Sequence, residues 1–143
     1  MKQFTFSIFI LLLMLILFSC SKDKSPVAVE DNNVSIFGKW LWTESSGGFS
    51  GGTIYPPANK KFVVQFTPDS NYYEYNNDTL VSSMRYSIKK QWAPGIFPNI
   101  DSVDAIIWNS RPNALIRYLT KDSLILWQMC ADCYTINYIK LSH

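Results

Sequence analysis

The sequence contains one histidine, and it is the last residue, His143. Histidine-based acid–base chemistry therefore has no central residue to use. There is no Gly-x-Ser-x-Gly elbow and no evident nucleophile–base pair. Glu44, Glu74, Asp101 and Asp104 are carboxylates of the kind any β domain carries. The chain is not expected to be an enzyme, nor to hold a cofactor or a metal. An excess of one charge is also missing. Thirteen basic against 11 acidic residues give a formal net charge of +2, too even to suggest a nucleic-acid partner. Helical periodicity is absent after residue 20. The glycine-rich stretch Ser45–Gly52 lacks a following Gly-Lys-Ser/Thr and so is no phosphate loop. Cysteine is scarce: Cys20, Cys130 and Cys133 are all there is.

The N-terminal end is distinctive. Met1-Lys2-Gln3 leads into an almost unbroken apolar run, Phe4 to Phe18. That run is shorter than the roughly 20 residues a membrane span needs. With small Ser19 and polar Ser21-Lys22-Asp23 beyond it, residues 1–19 read as a secretory signal with a cysteine at the cut. The ending Leu17-Phe18-Ser19-Cys20 resembles the lipobox of bacterial lipoproteins. The resemblance implies that Cys20 is acylated, with palmitate among its chains, and becomes the mature N-terminus. One acyl chain binds a membrane marginally, whereas two or more anchor stably. Ser21 after the cysteine is compatible with sorting to the outer membrane, facing either the periplasm or the cell surface. Residues 20–34 then form the lipidated cysteine and a flexible tether, with a reach of roughly 20 Å. Residues 35–143 remain as one domain.

Within that domain, short β-type runs recur about every ten residues between turn residues, the rhythm of an antiparallel sandwich or barrel. Eight strands are expected: Ile36–Glu44, Lys61–Thr67, Asn71–Tyr75, Thr79–Lys89, Ser102–Asn109, Ala114–Leu119, Asp122–Met129 and Tyr134–Leu141. Alternation places Ile36, Gly38, Trp40 and Trp42 on one face, Phe62, Val64 and Phe66 inward, and Met84, Tyr86 and Ile88 inward. Aromatic residues make up 15% of the chain and favour strands. The expectation is an all-β fold, an eight-stranded antiparallel meander closed as a barrel. Eight strands enclose side chains or one small ligand. Ser45–Lys60 and Gln91–Asp101 read as long loops, the first a flap over a barrel mouth or a plain surface loop.

Gly38-Lys39-Trp40 opens the first strand of this domain. It is similar to the Gly-x-Trp signature of lipocalins. Together with the eight strands, the lipobox and the strand start Asp122-Ser123-Leu124-Ile125-Leu126, the chain resembles the lipocalin-like lipoproteins of Bacteroidota-type bacteria. The resemblance covers about Ile36 to Leu141. It implies that Trp40 closes one barrel end, with a basic residue of the last strand packed over it; Lys140 is the candidate and Arg117 the second. It also implies a small apolar or amphipathic ligand, for which parity offers Trp42, Met84, Tyr86 and Trp108 as wall residues. The other open function class is a protein–protein module, an accessory subunit or an inhibitor, with a filled barrel.

Cys130-Ala131-Asp132-Cys133 lies between two strand patterns. A β-turn holds its end Cα atoms within about 7 Å, and a disulfide accepts about 4.4–6.8 Å. A disulfide staple is expected in an oxidising compartment. A thioredoxin-type pair would need a following helix, and zinc would need more ligands than this pair and His143 offer. Asp78-Thr79-Leu80, Asp101-Ser102-Val103 and Asp122-Ser123-Leu124 resemble the Bacteroidota O-glycosylation acceptor motif, which implies Thr79, Ser102 and Ser123 as acceptors. The same tripeptides also read simply as turn ends that begin strands.

Overall fold

The computed structural model describes residues 34–92 and 102–142. The leader, Cys20, the tether up to residue 33, and Ala93–Asp101 lie outside the described residues. The described chain is all-β. Its strands are β1 (Gly38–Gly47), β2 (Gly52–Ile54), β3 (Phe62–Phe66), β4 (Asn71–Asn76), β5 (Thr79–Trp92), β6 (Ser102–Trp108), β7 (Ala114–Leu119), β8 (Ser123–Gln128) and β9 (Tyr134–Lys140). They form one antiparallel sheet in the order β2-β1-β3-β4-β5-β6-β7-β8-β9, and β1 also pairs with β9. That last pairing closes an eight-stranded meander barrel of β1 and β3–β9. Closure removes the open edges that a sheet would otherwise expose.

The eight strands of the sequence reading are all present, and a ninth is added. Ser45–Gly47, expected in a loop, continues β1, and Gly52–Ile54 folds back on it as β2. The register of β1 against β9 shifts between Trp42 and Glu44. A bulge of this kind adds a residue and bends the strand, so β1 leaves β3 after Leu41–Val63 and takes β2 as its neighbour instead. The turn between them uses Gly47 and Gly48, at φ 124° and 72°. A Cβ at Gly47 would lie 2.7 Å from the Cys133 carbonyl oxygen, so the position has no room for a side chain as well as needing a left-handed backbone. At the other long loop, Gln91 and Trp92 extend β5 instead of leaving it. Ile88 is a further correction. Alternation predicts it inward, and it lies opposite the buried Ile106, yet it is 41% exposed, in a stretch of β5, residues 87–90, that is exposed throughout.

Strand alternation builds the interior. Trp40, Val64, Phe66, Tyr72, Tyr86, Ile106, Trp108, Leu124, Leu126 and Tyr138 form the buried cluster. Its centre is aromatic: Phe66 stacks at 5.0–5.2 Å on Tyr72 and Tyr86, and Tyr72 meets Trp108 edge-on at 5.0 Å. Tilted and edge-to-face pairs at such distances are the favoured arrangements. Ala105 and Leu115, out of phase with Ile106 and Ala114, form a second cluster on the outer face with Val103, Ile107 and Trp127 around them. β6 is thus buried on both faces. Asn77 and Asp78, at φ 48° and 64°, make the two-residue turn that joins β4 to β5, a conformation these two residue types tolerate best after glycine.

Cys130 and Cys133 are joined as a disulfide in the turn from β8 to β9, with Cα atoms 5.3 Å apart. The Gly48 amide donates to the Cys133 carbonyl at 3.2 Å, so the staple also anchors the β1–β2 hairpin. Replacing both cysteines with serine should lower stability by about 2 kcal/mol, the chain-entropy value for so short a loop. Urea denaturation with and without reductant checks this: reductant should reproduce the double mutant's midpoint in the native chain.

Candidate functional site

The two ends of the barrel differ. At one end the chain enters over Ile36 and β1 starts at Gly38. Trp40 is fully buried there, and its Nε1 donates to the Ile36 carbonyl at 2.7 Å. Lys140, directly opposite on β9, places its Nζ 4.4 Å from the Trp40 ring centroid. The same ammonium donates to the carbonyls of Phe37 at 2.6 Å and Ser35 at 3.2 Å. Burial lowers the Lys140 pKa from its ordinary value. Gly38, at φ 119°, leaves space for the Lys140 stem, since a Cβ there would lie 3.0 Å from Lys140 Cε. Gly38, Trp40 and Lys140 together plug this end.

The other end is hollow. A half-open cavity of about 310 Å³ lies where β1 and β3 part, lined by Trp42, Ser45, Phe62, Val64, Glu74, Ile136 and Tyr138, with Val63, Tyr75 and Val81 at its edge. The parting of the two strands makes the cavity, and the bulge at Thr43 makes the parting. Trp42 and Phe62 meet edge-to-face across the gap at 5.5 Å. Trp42 Nε1 donates to Ser45 Oγ at 2.9 Å, which fixes the indole as a wall. Volumes from about 300 Å³ upward, with mostly apolar lining and few polar groups, are typical of small-molecule sites.

Glu74 brings the cavity its charge. Its Oε1 accepts from Arg111 at 2.6 Å and from the Tyr72 hydroxyl at 2.8 Å. Burial pushes the Glu74 carboxyl upward, but the hydrogen bonds from Arg111, Tyr72 and Ser82 and the guanidinium charge outweigh it, so the pKa ends below its usual value. The bond to Glu74 likewise holds Arg111 firmly protonated. Desolvation pushes Tyr72 and Tyr138 well above the ordinary phenol range, so both stay neutral. The Arg111 guanidinium lies 5.2 Å over the Tyr72 ring and 5.4 Å over the Trp108 ring. It lines an adjoining, narrow cleft of about 30 Å³ with Trp108, Pro112 and Gln128, and Ile136 and Tyr138 line both spaces.

Of the four residues that parity offered as ligand walls, Trp42 lines the cavity. Tyr86 and Trp108 belong to the packed aromatic centre, and Met84 packs against it. Phe62, Glu74, Ile136 and Tyr138 are not among the wall residues that the sequence offered. Inward parity marked Phe62; nothing local marked Glu74, which shares its face with Tyr72 but pairs with a residue 37 positions away. Thr79 and Ser102 are exposed at strand starts, and Ser123 is half-buried, its amide donating to Thr120 Oγ1.

The geometry is that of a small closed β-barrel, plugged at one end by a tryptophan and hollow at the other. No protein-family model matches this chain, no curated protein matches it, and no solved structure matches it.

Proposed function

We propose that this protein is a lipocalin-like lipoprotein, anchored to the outer membrane through acylated Cys20, that binds one small apolar or amphipathic ligand in the hollow end of its barrel. The observation that carries the binding reading is the half-open cavity of about 310 Å³ with Trp42, Phe62, Ile136 and Tyr138 on its walls. A barrel packed solid throughout would have favoured a purely interactive role. Here one half is packed and the other is not. The plug of Gly38, Trp40 and Lys140 supports the lipocalin reading, and the Leu17-Phe18-Ser19-Cys20 ending supports the anchor.

Two experiments test the two halves. The uncharged probe N-phenyl-1-naphthylamine should gain fluorescence with the purified mature chain, and Trp42→Ala should weaken that binding about tenfold, since a large aromatic wall contributes on the order of 1.5 kcal/mol or more. Equal binding by the variant would remove Trp42 from the site. For the anchor, cells fed an alkynyl palmitate analogue should label the wild-type chain. Cys20→Ala should abolish the label and leave the precursor uncleaved; a processed, labelled variant would contradict the anchor.

A second reading rests on the rim. Phe49 is 93% exposed and Tyr55 63% exposed, with Ile54, Leu80 and Val81 also outside. These residues sit on the β1–β2 hairpin, just after it and at the start of β5, around the hollow end. Such a rim suits a protein partner that docks over the mouth.

A further inference from the structure

We infer that the ligand of this cavity is a small cationic amphiphile: an ammonium group on an aromatic or aliphatic body, with the ammonium held at Glu74. The inference rests on the small-ligand reading above and adds the charge of the ligand.

Four observations carry it. Among the described residues, Glu74 is the only Asp, Glu, Lys or Arg on the cavity wall, and its partner Arg111 lines the adjoining cleft instead. The ion pair thus presents its negative end to the cavity and its positive end to the rings of Tyr72 and Trp108. The carboxylate is held below its usual pKa by its hydrogen bonds and is charged at neutral pH.

The carboxylate also has acceptor capacity to spare. An ionised carboxylate offers about four lone-pair sites. Arg111, Tyr72 and Ser82 supply its hydrogen bonds, and a ligand N–H would take a further site.

The walls suit a cation as well. Trp42, Phe62 and Tyr138 line the cavity together with Glu74. Ring faces attract ammonium groups, most strongly where water is excluded. A carboxylate ligand would instead meet the acidic partner of the ion pair, since Arg111 lines the adjoining cleft.

The volume sets the size. A cavity of about 310 Å³ is at the small end for ligand sites, so the ligand is a small molecule with its amine.

The test uses three near-isosteric probes on the purified mature chain: 2-phenylethylamine, 2-phenylethanol and phenylacetate. Binding is followed by tryptophan fluorescence and calorimetry at pH 7. The amine should bind at least about tenfold more tightly than the alcohol, the effect of a charge-assisted hydrogen bond, and phenylacetate should be weakest. Glu74→Gln, checked for folding by circular dichroism, should bring the amine down to the level of the alcohol. If that variant does not fold, the wild-type pH series decides: the advantage of the amine should shrink as pH falls through the Glu74 pKa, while alcohol binding holds. Alcohol or phenylacetate binding as tightly as the amine would overturn the cationic assignment and leave the small-ligand reading standing. An amine preference that survives intact in folded Glu74→Gln, or that does not change with pH, would overturn the role of Glu74. Failure of all three probes to bind would overturn both readings.

Discussion

Trp40→Ala should lower the stability of the domain by about 3–5 kcal/mol, as large-to-small changes at fully buried aromatic sites do. The side chain has no exposed surface, so the whole indole area returns to a cavity. The loss has further parts. The Ile36 carbonyl gives up the bond it accepts from Nε1 at 2.7 Å, and Lys140 loses the ring beneath its ammonium. Trp40 also lies opposite Val64 on β3 and Lys140 on β9, so it fills the seam at which the barrel closes. Trp40→Phe should lose less, about 1–2 kcal/mol, because it keeps a ring and removes the hydrogen bond. Urea denaturation of the two variants separates these terms. A Trp40→Ala variant within about 1 kcal/mol of wild type would show that the plug does not hold the barrel shut.

Leu115→Ala should cost about 2–5 kcal/mol, although Leu115 lies on the outside of the barrel. It is fully buried, as is Ala105 opposite it, under Val103, Ile107 and Trp127. The ladder between β6 and β7 has only two residue pairs, Ala105–Leu115 and Ile106–Ala114. Side-chain packing on both faces therefore holds these strands together where hydrogen bonds are few. Hydrogen exchange should show the β6 and β7 amides losing protection first in the variant. A variant of wild-type stability would mean that the outer cluster is incidental to the closure of the barrel.

The sequence makes the barrel legible because strand alternation is local. Phe62, Val64 and Phe66, or Met84 and Tyr86, declare their face within five residues. Turn chemistry is local too, as at Asn77-Asp78. The hollow end is another matter. Its cavity follows from a one-residue bulge in β1, and a bulge changes the partner of a strand without changing its composition. That is why Ser45–Gly47 reads as loop and why the parting of β1 from β3 is invisible in the chain. The four wall residues taken from parity illustrate the limit. Parity distinguishes inside from outside but not the packed half from the hollow half, so Trp42 falls on the cavity and Tyr86 in the aromatic centre. Glu74 looks like any strand carboxylate until Arg111, in a distant turn, is folded against it. The outer cluster at Ala105 and Leu115 escapes the pattern because both faces of β6 are apolar, which an alternation rule reads as only one buried face.

The central claim is that the hollow end of the barrel, and not its rim, receives a ligand. Side-chain NMR of the mature chain, titrated with 2-phenylethylamine and with 2-phenylethanol, tests it most directly. Shifts confined to Trp42, Phe62, Ile136 and Tyr138, with Met84 and Tyr86 unmoved, are the predicted result. Shifts confined to Phe49, Tyr55 and Leu80, or no saturable shifts with either probe, would contradict it.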